Sequence, residues 1–265
     1  MKTQVLKLFF VMLAAMFCGN AGAIEHPEAE LGGAGITTKL GDKVDLATKF
    51  TRSDGSEVAL GDLVLEGRPV VIVPAYYHCP RLCGLVHDGV VKLFNELGLK
   101  LGEDFRAVTV SFDSTEKPVQ AQKVRNRVLK GLITPATTDG WEFLLGKEEN
   151  VRALMNQIGF GYVRDGNEFA HGSGIFVITP TGEISQYFTG IEFPASDVRL
   201  GLVEASKGRI GTPIDHVLLF CFRFDPTKGR YTLMAGNIMR AGGAITLLAL
   251  IFIFVLTFRR REANR

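Results

Sequence analysis

The sequence contains few cysteines for a protein that we expect to be exported. It has four cysteines among 265 residues, and Cys18 lies in a segment that we expect to be removed. The other three, Cys79, Cys83 and Cys221, cannot all pair with one another, and small disulfide-stabilised domains use many more. We therefore exclude a disulfide framework and expect these thiols to have a chemical role.

The sequence also lacks an excess of positive charge. The chain has 30 Lys and Arg residues against 28 Asp and Glu residues. Without two lysines in the predicted leader, and without four arginines and one glutamate in the tail after Phe258, 24 basic and 27 acidic residues remain. A charge of about −3 gives no electrostatic basis for nucleic-acid binding. We exclude nucleic acid as a partner.

The amino terminus has the pattern of a signal peptide. Two lysines precede an apolar run over residues 8–17, and Ala21-Gly22-Ala23 forms a small-x-small cleavage site. We predict a signal peptide over residues 1–23. Cys18 is disfavoured as a lipoprotein site because large residues precede it.

An uncharged apolar run near the carboxyl terminus predicts a membrane anchor. Residues 241–258 are long enough to cross a hydrocarbon core of about 30 Å. Three arginines follow at once, so the positive-inside rule places the tail, 259–265, in the cytoplasm. We expect a single-pass protein of the bacterial inner membrane with its main domain in the periplasm.

The remaining chain is long enough for one domain with a sizeable core, and it contains no internal repeat or low-complexity tract. Residues 24–43 are rich in Gly, Ala and Glu and are predicted to form a flexible lead-in. The domain is expected over 44–210, and a juxtamembrane segment over 211–240 leads to the anchor.

The hydrophobic pattern predicts an α/β fold. A hairpin with its turn at 53–56 is followed by strands and helices in alternation, and a second hairpin and a last helix close the domain. The segments are strands at 69–75 and 105–112, helices from Leu85 to Leu97, at 118–129 and at 148–158, a possible strand in 137–145, a hairpin at 174–188 and a helix at 195–207. This order is typical of a thioredoxin-like three-layer sandwich with an N-terminal β-hairpin. We add one C-terminal transmembrane helix.

Cys79 and Cys83 lie between the strand at 69–75 and the helix that follows it. Helix N–H groups and the helix dipole favour negative charge, so both thiols are expected to ionise readily. A gap of three residues permits a disulfide, and it also lets both sulfurs bind one soft ion. His171 is expected in a loop opposite the cysteines, where thiol oxidoreductases of this fold commonly have a proline. Two sulfurs and one imidazole nitrogen suit Cu(I).

These residues resemble the Sco/SenC family, thioredoxin-fold copper chaperones of cytochrome c oxidase assembly. The resemblance covers about Val44 to Lys207 and rests on three features: YHCPRLC at residues 77–83 against THCP-x-x-C in the family, a single histidine before the penultimate strand, and the strand TVSFD at 109–113. It implies that Cys79, Cys83 and His171 bind one copper ion, Cu(I) or Cu(II).

The chain departs from the family at several positions. Gly84 stands where many members have proline, and the usual second aspartate after Asp113 is absent. Many members are also tethered at the amino terminus, whereas the predicted anchor here is at the carboxyl terminus. Recognition of the oxidase subunit is therefore expected to differ more than metal binding.

By this resemblance, the chain would deliver copper to the copper A site of a cytochrome c oxidase subunit and would receive it from a copper donor protein. The alternative is a thiol-disulfide reductase that keeps the oxidase ligand cysteines reduced, with Cys79 and Cys83 as its redox pair. A peroxidase is a weaker alternative, because Arg81 alone hardly makes a peroxide site. We expect a metallochaperone rather than an enzyme, with thiol-disulfide oxidoreductase activity as the alternative.

Two other groups are weighed as ligands. His87 would share a helical face with Cys79 and Cys83 in a local clamp, but we expect it one turn deeper, packed beside the core. His216 and Cys221 would lie on opposite faces of a strand and would not chelate together. Cys221 is expected to be an apolar strand residue.

Overall fold

A computed structural model describes residues 33–64, 67–80, 82–133, 140–207, 222–225 and 230–233, together with Leu218, Gly243 and Thr246. The predicted signal peptide, Cys18, His216 and Cys221 lie outside these residues. So does the predicted span at 241–258, except for two helical positions. Within the described part of the chain, no helix is long and apolar enough to cross a membrane.

Twelve strands and four α-helices are described. The strands are β1 (Gly35–Ile36), β2 (Lys49–Arg52), β3 (Glu57–Ala59), β4 (Val70–Ala75), β5 (Arg106–Ser111), β6 (Trp141–Leu145), β7 (Phe160–Asp165), β8 (Glu168–His171), β9 (Gly174–Ile178), β10 (Ile184–Thr189), β11 (Phe222–Asp225) and β12 (Arg230–Leu233). The helices are α1 (Leu82–Glu96), α2 (Pro118–Leu129), α3 (Glu148–Ile158) and α4 (Ala195–Ala205), and Leu60–Leu63 forms a short 3-10 helix.

The main sheet has seven strands in the order β10-β9-β4-β5-β6-β2-β3. Strand β4 pairs in parallel with β5 and antiparallel with β9, and β5 pairs in parallel with β6. The parallel pairs follow from the helical crossovers α1 and α2 between these strands. The carboxyl ends of β4 and β5 therefore lie at the same edge of the sheet.

Two apolar clusters cover the two faces of the main sheet. One contains residues of α1, α2 and α4, such as Val90, Val128 and Leu202, and the other contains residues of α3, such as Leu154. All six residues of β4 are buried, and Val71 and Ile72 belong to opposite clusters. A central strand covered on both faces needs such a continuous apolar run. The predicted α/β three-layer sandwich is confirmed.

The folded part of the chain begins closer to the amino terminus than we expected. Strand β1 pairs with β7, and the Thr37 N–H donates to the Gly159 carbonyl at 2.8 Å. The Gly41 N–H donates to the Ile184 carbonyl at 2.9 Å. Residues 33–43 are thus bound to the domain by backbone hydrogen bonds, so the flexible lead-in predicted over 24–43 is wrong for this part.

Two hairpins were not predicted. Strands β7 and β8 form one with β1 as a third strand, and β8 ends at His171. Strands β11 and β12 form the other, in the segment expected to be juxtamembrane. The first hairpin matters for function because it carries a predicted metal ligand on a strand rather than in a loop.

Candidate metal centre

The cysteine pair lies at the edge of the sheet where β4 ends and α1 begins. Cys83 is buried, whereas Cys79 is half-buried and accessible. The Cys83 N–H donates to the Cys79 sulfur at 3.4 Å, and the Tyr76 N–H donates to the Cys83 sulfur at 3.5 Å. The two cysteines are not joined by a disulfide. The start of the helix therefore brings the two sulfurs together, as the spacing predicts.

His171 points its ring at this pair from the end of β8. Its Nε2 lies 4.0 Å from the Cys83 sulfur, and its Nδ1 lies 2.5 Å from the Gly172 carbonyl oxygen. A carbonyl oxygen only accepts, so Nδ1 is the donor in this contact and a neutral ring has its lone pair on Nε2. The nitrogen that faces the sulfur is thus the one able to bind a metal.

Aromatic rings hold the imidazole in place. The ring centroids of Phe112, Phe160 and Tyr76 lie 4.9, 5.9 and 6.1 Å from that of His171. Strand pairing sets Tyr162 opposite His171 across the hairpin. Both the backbone and the ring of His171 are therefore restrained, which reduces the ordering cost when a ligand binds.

The thiol electrostatics differ from our expectation. A hydrogen bond with Cys79 and burial raise the pKa of Cys83 above its usual value. This direction is opposite to the expected lowering, because the hydrogen bond with Cys79 and burial both disfavour the thiolate form of Cys83. Burial and a hydrogen bond with Cys79 also raise the pKa of Tyr76.

Cys79 and Cys83 lie together and His171 faces Cys83, but the three do not form a finished metal site. Among the described residues, no group of three or more His, Cys, Asp or Glu side chains is already arranged to hold a metal ion. A trigonal ion with bonds of about 2.3 Å to sulfur and 2.0 Å to nitrogen would separate those donors by about 3.7 Å. The observed 4.0 Å between Cys83 and His171 therefore needs only a small adjustment.

A buried carboxylate holds the loop before Cys79. Glu116 accepts hydrogen bonds from the backbone N–H groups of Tyr77 and His78 at 2.9 and 2.8 Å, from the His78 ring at 2.5 Å and from the Ser111 hydroxyl at 2.5 Å. The His78 Nε2 also lies 3.7 Å from Asp113. This role for Glu116 was not predicted, although an acidic residue three positions after Asp113 was a signal for it.

His87 lies one turn deeper along α1, as expected. It is 1% exposed, and its ring packs near those of Trp141 and Phe143. Burial and the nearby charge of Arg127 lower the pKa of His87 to about 4, so the ring is neutral at ordinary pH. The His87 ring is packed in the core, whereas the His171 ring faces Cys83. As a set of metal ligands, Cys79, Cys83 and His87 are therefore less favoured than Cys79, Cys83 and His171.

Comparisons with known proteins agree with the predicted fold and with the family resemblance. The sequence profile of the SCO1/SenC family matches residues 38–200. A candidate electron transfer protein from Aquifex aeolicus VF5 is similar in structure, with 25% identity, a TM-score of 0.56, and coverage of 63% of this chain and 94% of that one.

BsSco, described as a Sco-family cytochrome c oxidase assembly protein with a disulfide switch, is also similar in structure. It has 22% identity and a TM-score of 0.51, with coverage of 65% of this chain and 98% of that one. This likeness confirms the predicted thioredoxin-like fold. A search of curated proteins finds no match.

Proposed function

The chain belongs to the SCO1/SenC family, and from this we propose that it is a membrane-anchored periplasmic copper chaperone that binds copper through Cys79, Cys83 and His171. The observation that carries the proposal is the position of the His171 Nε2, 4.0 Å from the Cys83 sulfur. A disulfide exchange enzyme has no need of an imidazole nitrogen held there, whereas a soft metal ion needs a third donor.

The donor set suits Cu(I) as a cargo. Two thiolates and one neutral imidazole are soft or borderline ligands, and the accessible side of Cys79 leaves a direction from which another thiol can approach. The cargo would leave by ligand exchange, in which acceptor thiols replace Cys79 and Cys83 one at a time. The expected acceptor is the copper A site of a cytochrome c oxidase subunit, and a copper donor protein would load the site.

Location near the membrane follows from the sequence patterns. The signal peptide over 1–23 and the span over 241–258 would leave the domain in the periplasm beside the bacterial inner membrane. An oxidase subunit with its copper site on that side would be within reach. The anchor would then restrict the search for the client to the membrane surface.

The second candidate function is a thiol-disulfide reductase. It is favoured by the contrast between an accessible Cys79 and a buried Cys83, because the first could attack a substrate disulfide and the second could resolve the intermediate. His171 distinguishes the two functions, since removal of its imidazole takes away a metal ligand but no redox sulfur.

Copper retention tests the proposal. The full-length chain in detergent is reduced without oxygen, and retained Cu(I) is measured against a competing chelator for the wild type, His171→Ala, Cys79→Ser and the neighbouring control Ser173→Ala. We expect one tightly held copper in the wild type and the control, and an affinity lower by about tenfold or more in the other two. Unchanged retention in His171→Ala would favour the reductase.

A further inference from the structure

A cavity of about 550 Å³ opens beside the cysteine pair, and His171 is not among its lining residues. Cys79, Cys83, His87, Gln120, Lys123 and Arg127 are among its lining residues. This volume is in the range of small-molecule sites, which typically combine apolar walls with a few convergent polar groups. Its walls include the Tyr76 and Tyr77 side chains and Val124. Copper bound by Cys79, Cys83 and His171 would not use the Lys123 and Arg127 side chains or the volume of this cavity.

Two cations face the cavity from α2. Lys123 and Arg127 are four residues apart, so they lie on the same side of the helix, and the sequence of α2 contains no Asp or Glu. Within the described part of the chain, neither has an ion-pair partner. A Cβ placed on Gly84 would lie 3.7 Å from the Arg127 Nη1, so the guanidinium lies over the residue that follows Cys83.

An unsatisfied acceptor adds to this set. His87 is 1% exposed, and its Nε2 has no hydrogen-bond partner among the described residues. A buried polar atom without a partner is costly, and His87 is among the residues that line the cavity. Among the described residues, the buried carboxylate of Glu116 makes its ion-pair contact with His78 rather than with Lys123 or Arg127, and it accepts hydrogen bonds from Tyr77, His78 and Ser111.

From this combination we propose that the cavity binds a low-molecular-weight thiol that carries carboxylates, with its sulfur beside Cys79 and its carboxylates on Lys123 and Arg127. The charges select an anion, and the accessible Cys79 is the group in the cavity that reacts with sulfur. An N–H group of the ligand would donate to the His87 Nε2. Tripeptide thiols with two carboxylates have the size and the groups that this cavity requires.

Such a thiol would keep the cysteine pair reduced. One thiolate would attack the Cys79 sulfur of a Cys79–Cys83 disulfide, forming a mixed disulfide and releasing Cys83, which takes up a proton. A second thiol would then attack the ligand sulfur, release Cys79 and leave as the free disulfide. Two thiols are oxidised and one protein disulfide is reduced. This step rests on the proposed function, because a Cu(I) carrier requires both cysteines reduced.

Charge-selective alkylation tests the cavity without copper. The reduced full-length chain in detergent is treated with iodoacetate, an anion, or with neutral iodoacetamide, and modification of Cys79 is followed by peptide mass. Both rates are proportional to the fraction of Cys79 that is ionised, so this fraction cancels in their ratio. We expect Lys123→Gln and Arg127→Gln each to lower the ratio of iodoacetate to iodoacetamide by about two- to fivefold, and added salt to do the same.

Lys130→Gln is the matched control, because Lys130 is exposed at the end of α2 and is not among the residues that line the cavity. An equal ratio in the wild type and in both cavity variants would overturn the proposal. Failure here would leave the copper measurement unaffected, and failure of copper retention would leave this charge preference measurable.

A second measurement separates a small thiol from a larger acidic partner. The oxidised chain is reduced by glutathione, which is anionic, or by cysteamine, which is cationic. We expect glutathione to react about two- to fivefold faster after correction for thiolate content, and this preference to disappear in Arg127→Gln. If alkylation is charge-selective but glutathione shows no preference over cysteamine, the proposal of a small thiol ligand is wrong. The cavity would then bind an acidic segment of a protein. Failure of the disulfide to form would overturn the exchange step.

Discussion

His87 is the residue whose ionisation most clearly couples to the stability of the domain. It is buried beside Trp141, and its pKa is lowered from 6.5 to about 4 by burial and by Arg127. The unfolded chain therefore binds a proton at a higher pH than the folded chain does. As the pH falls from about 6.5 to 4, protonation favours the unfolded state, and stability falls across that window.

We predict that this coupling costs the metal-free protein about 3 kcal/mol of unfolding free energy between pH 7 and pH 4, since each pKa unit corresponds to about 1.4 kcal/mol. His87→Leu should lose that part of the pH dependence and keep the part due to carboxylates. Urea unfolding followed by the fluorescence of Trp141, the one tryptophan of the chain, measures both variants. Equal pH slopes for the wild type and the variant would contradict the prediction.

The predictability of the site also differs from residue to residue. Cys79 and Cys83 could be placed from sequence because strand-end position and helical spacing are local. The facing of His171 and Cys83 could not be predicted from local spacing, since 88 positions separate them in the chain; it was expected from the place of His171 in the predicted fold and from the family resemblance. For Glu116 the position of an acidic residue after Asp113 was a signal, but its partners Tyr77 and His78 could not be predicted because they are 39 and 38 positions away in the chain.

Helix α1 is the element on which the site depends most, because it carries Cys83 and contacts α2 and α4. Its close packing needs a residue without a side chain at one position. A Cβ on Gly89 would lie 1.9 Å from the Ile191 carbonyl oxygen, which real structures do not allow. A Cβ on Gly84 in the same helix would make only an ordinary contact, at 3.7 Å from Arg127.

We therefore predict opposite effects for two identical substitutions in α1. Gly89→Ala should destabilise the domain by about 1–3 kcal/mol or more, because the backbone must move apart. Gly84→Ala should be neutral or should stabilise it by up to about 1 kcal/mol through helix propensity. Chemical unfolding of both variants measures the difference. A neutral Gly89→Ala would show that the loop at Ile191 yields easily.

Most elements could be predicted because their signals are local. Helix α2 has the predicted bounds, with Pro118 at its first turn. Helix α3 also has the predicted bounds, and it ends before Gly159, which adopts a left-handed conformation with φ of 75°. The β7–β8 hairpin escaped prediction because its side chains are only partly buried and show little alternation. Its stability depends on pairing with β1, which is distant in sequence.

At the scale of the whole molecule, the hairpin of β11 and β12 connects the domain to the chain beyond it. The ring of Phe224 packs at 5.8 Å from Tyr187, 5.7 Å from Phe188 and 5.7 Å from Tyr231, measured between centroids. The Tyr231 hydroxyl donates to Glu204 at 2.5 Å, and burial followed by the charge of Glu204 raises the pKa of Tyr231. The hairpin is thus packed on β10 and α4.

Two aromatic residues of the segment at 211–240 pack against the domain. Tyr231 is 7% exposed and Phe224 is half-buried, so both bury apolar area there. The described hairpin ends at Leu233, and the predicted span begins at residue 241.

We predict that Phe224→Ala releases the hairpin without unfolding the domain. Loss of three aromatic contacts at a half-buried position should cost about 2 kcal/mol, or about a 30-fold rise in the local opening equilibrium. Hydrogen exchange of the full-length chain in detergent should accelerate by that factor in residues 222–233 and remain unchanged in β4 and β5. Thr232→Ala, in the same hairpin, is the control and should change exchange little. Equal acceleration in β4 would mean that the hairpin and the domain unfold as one cooperative unit.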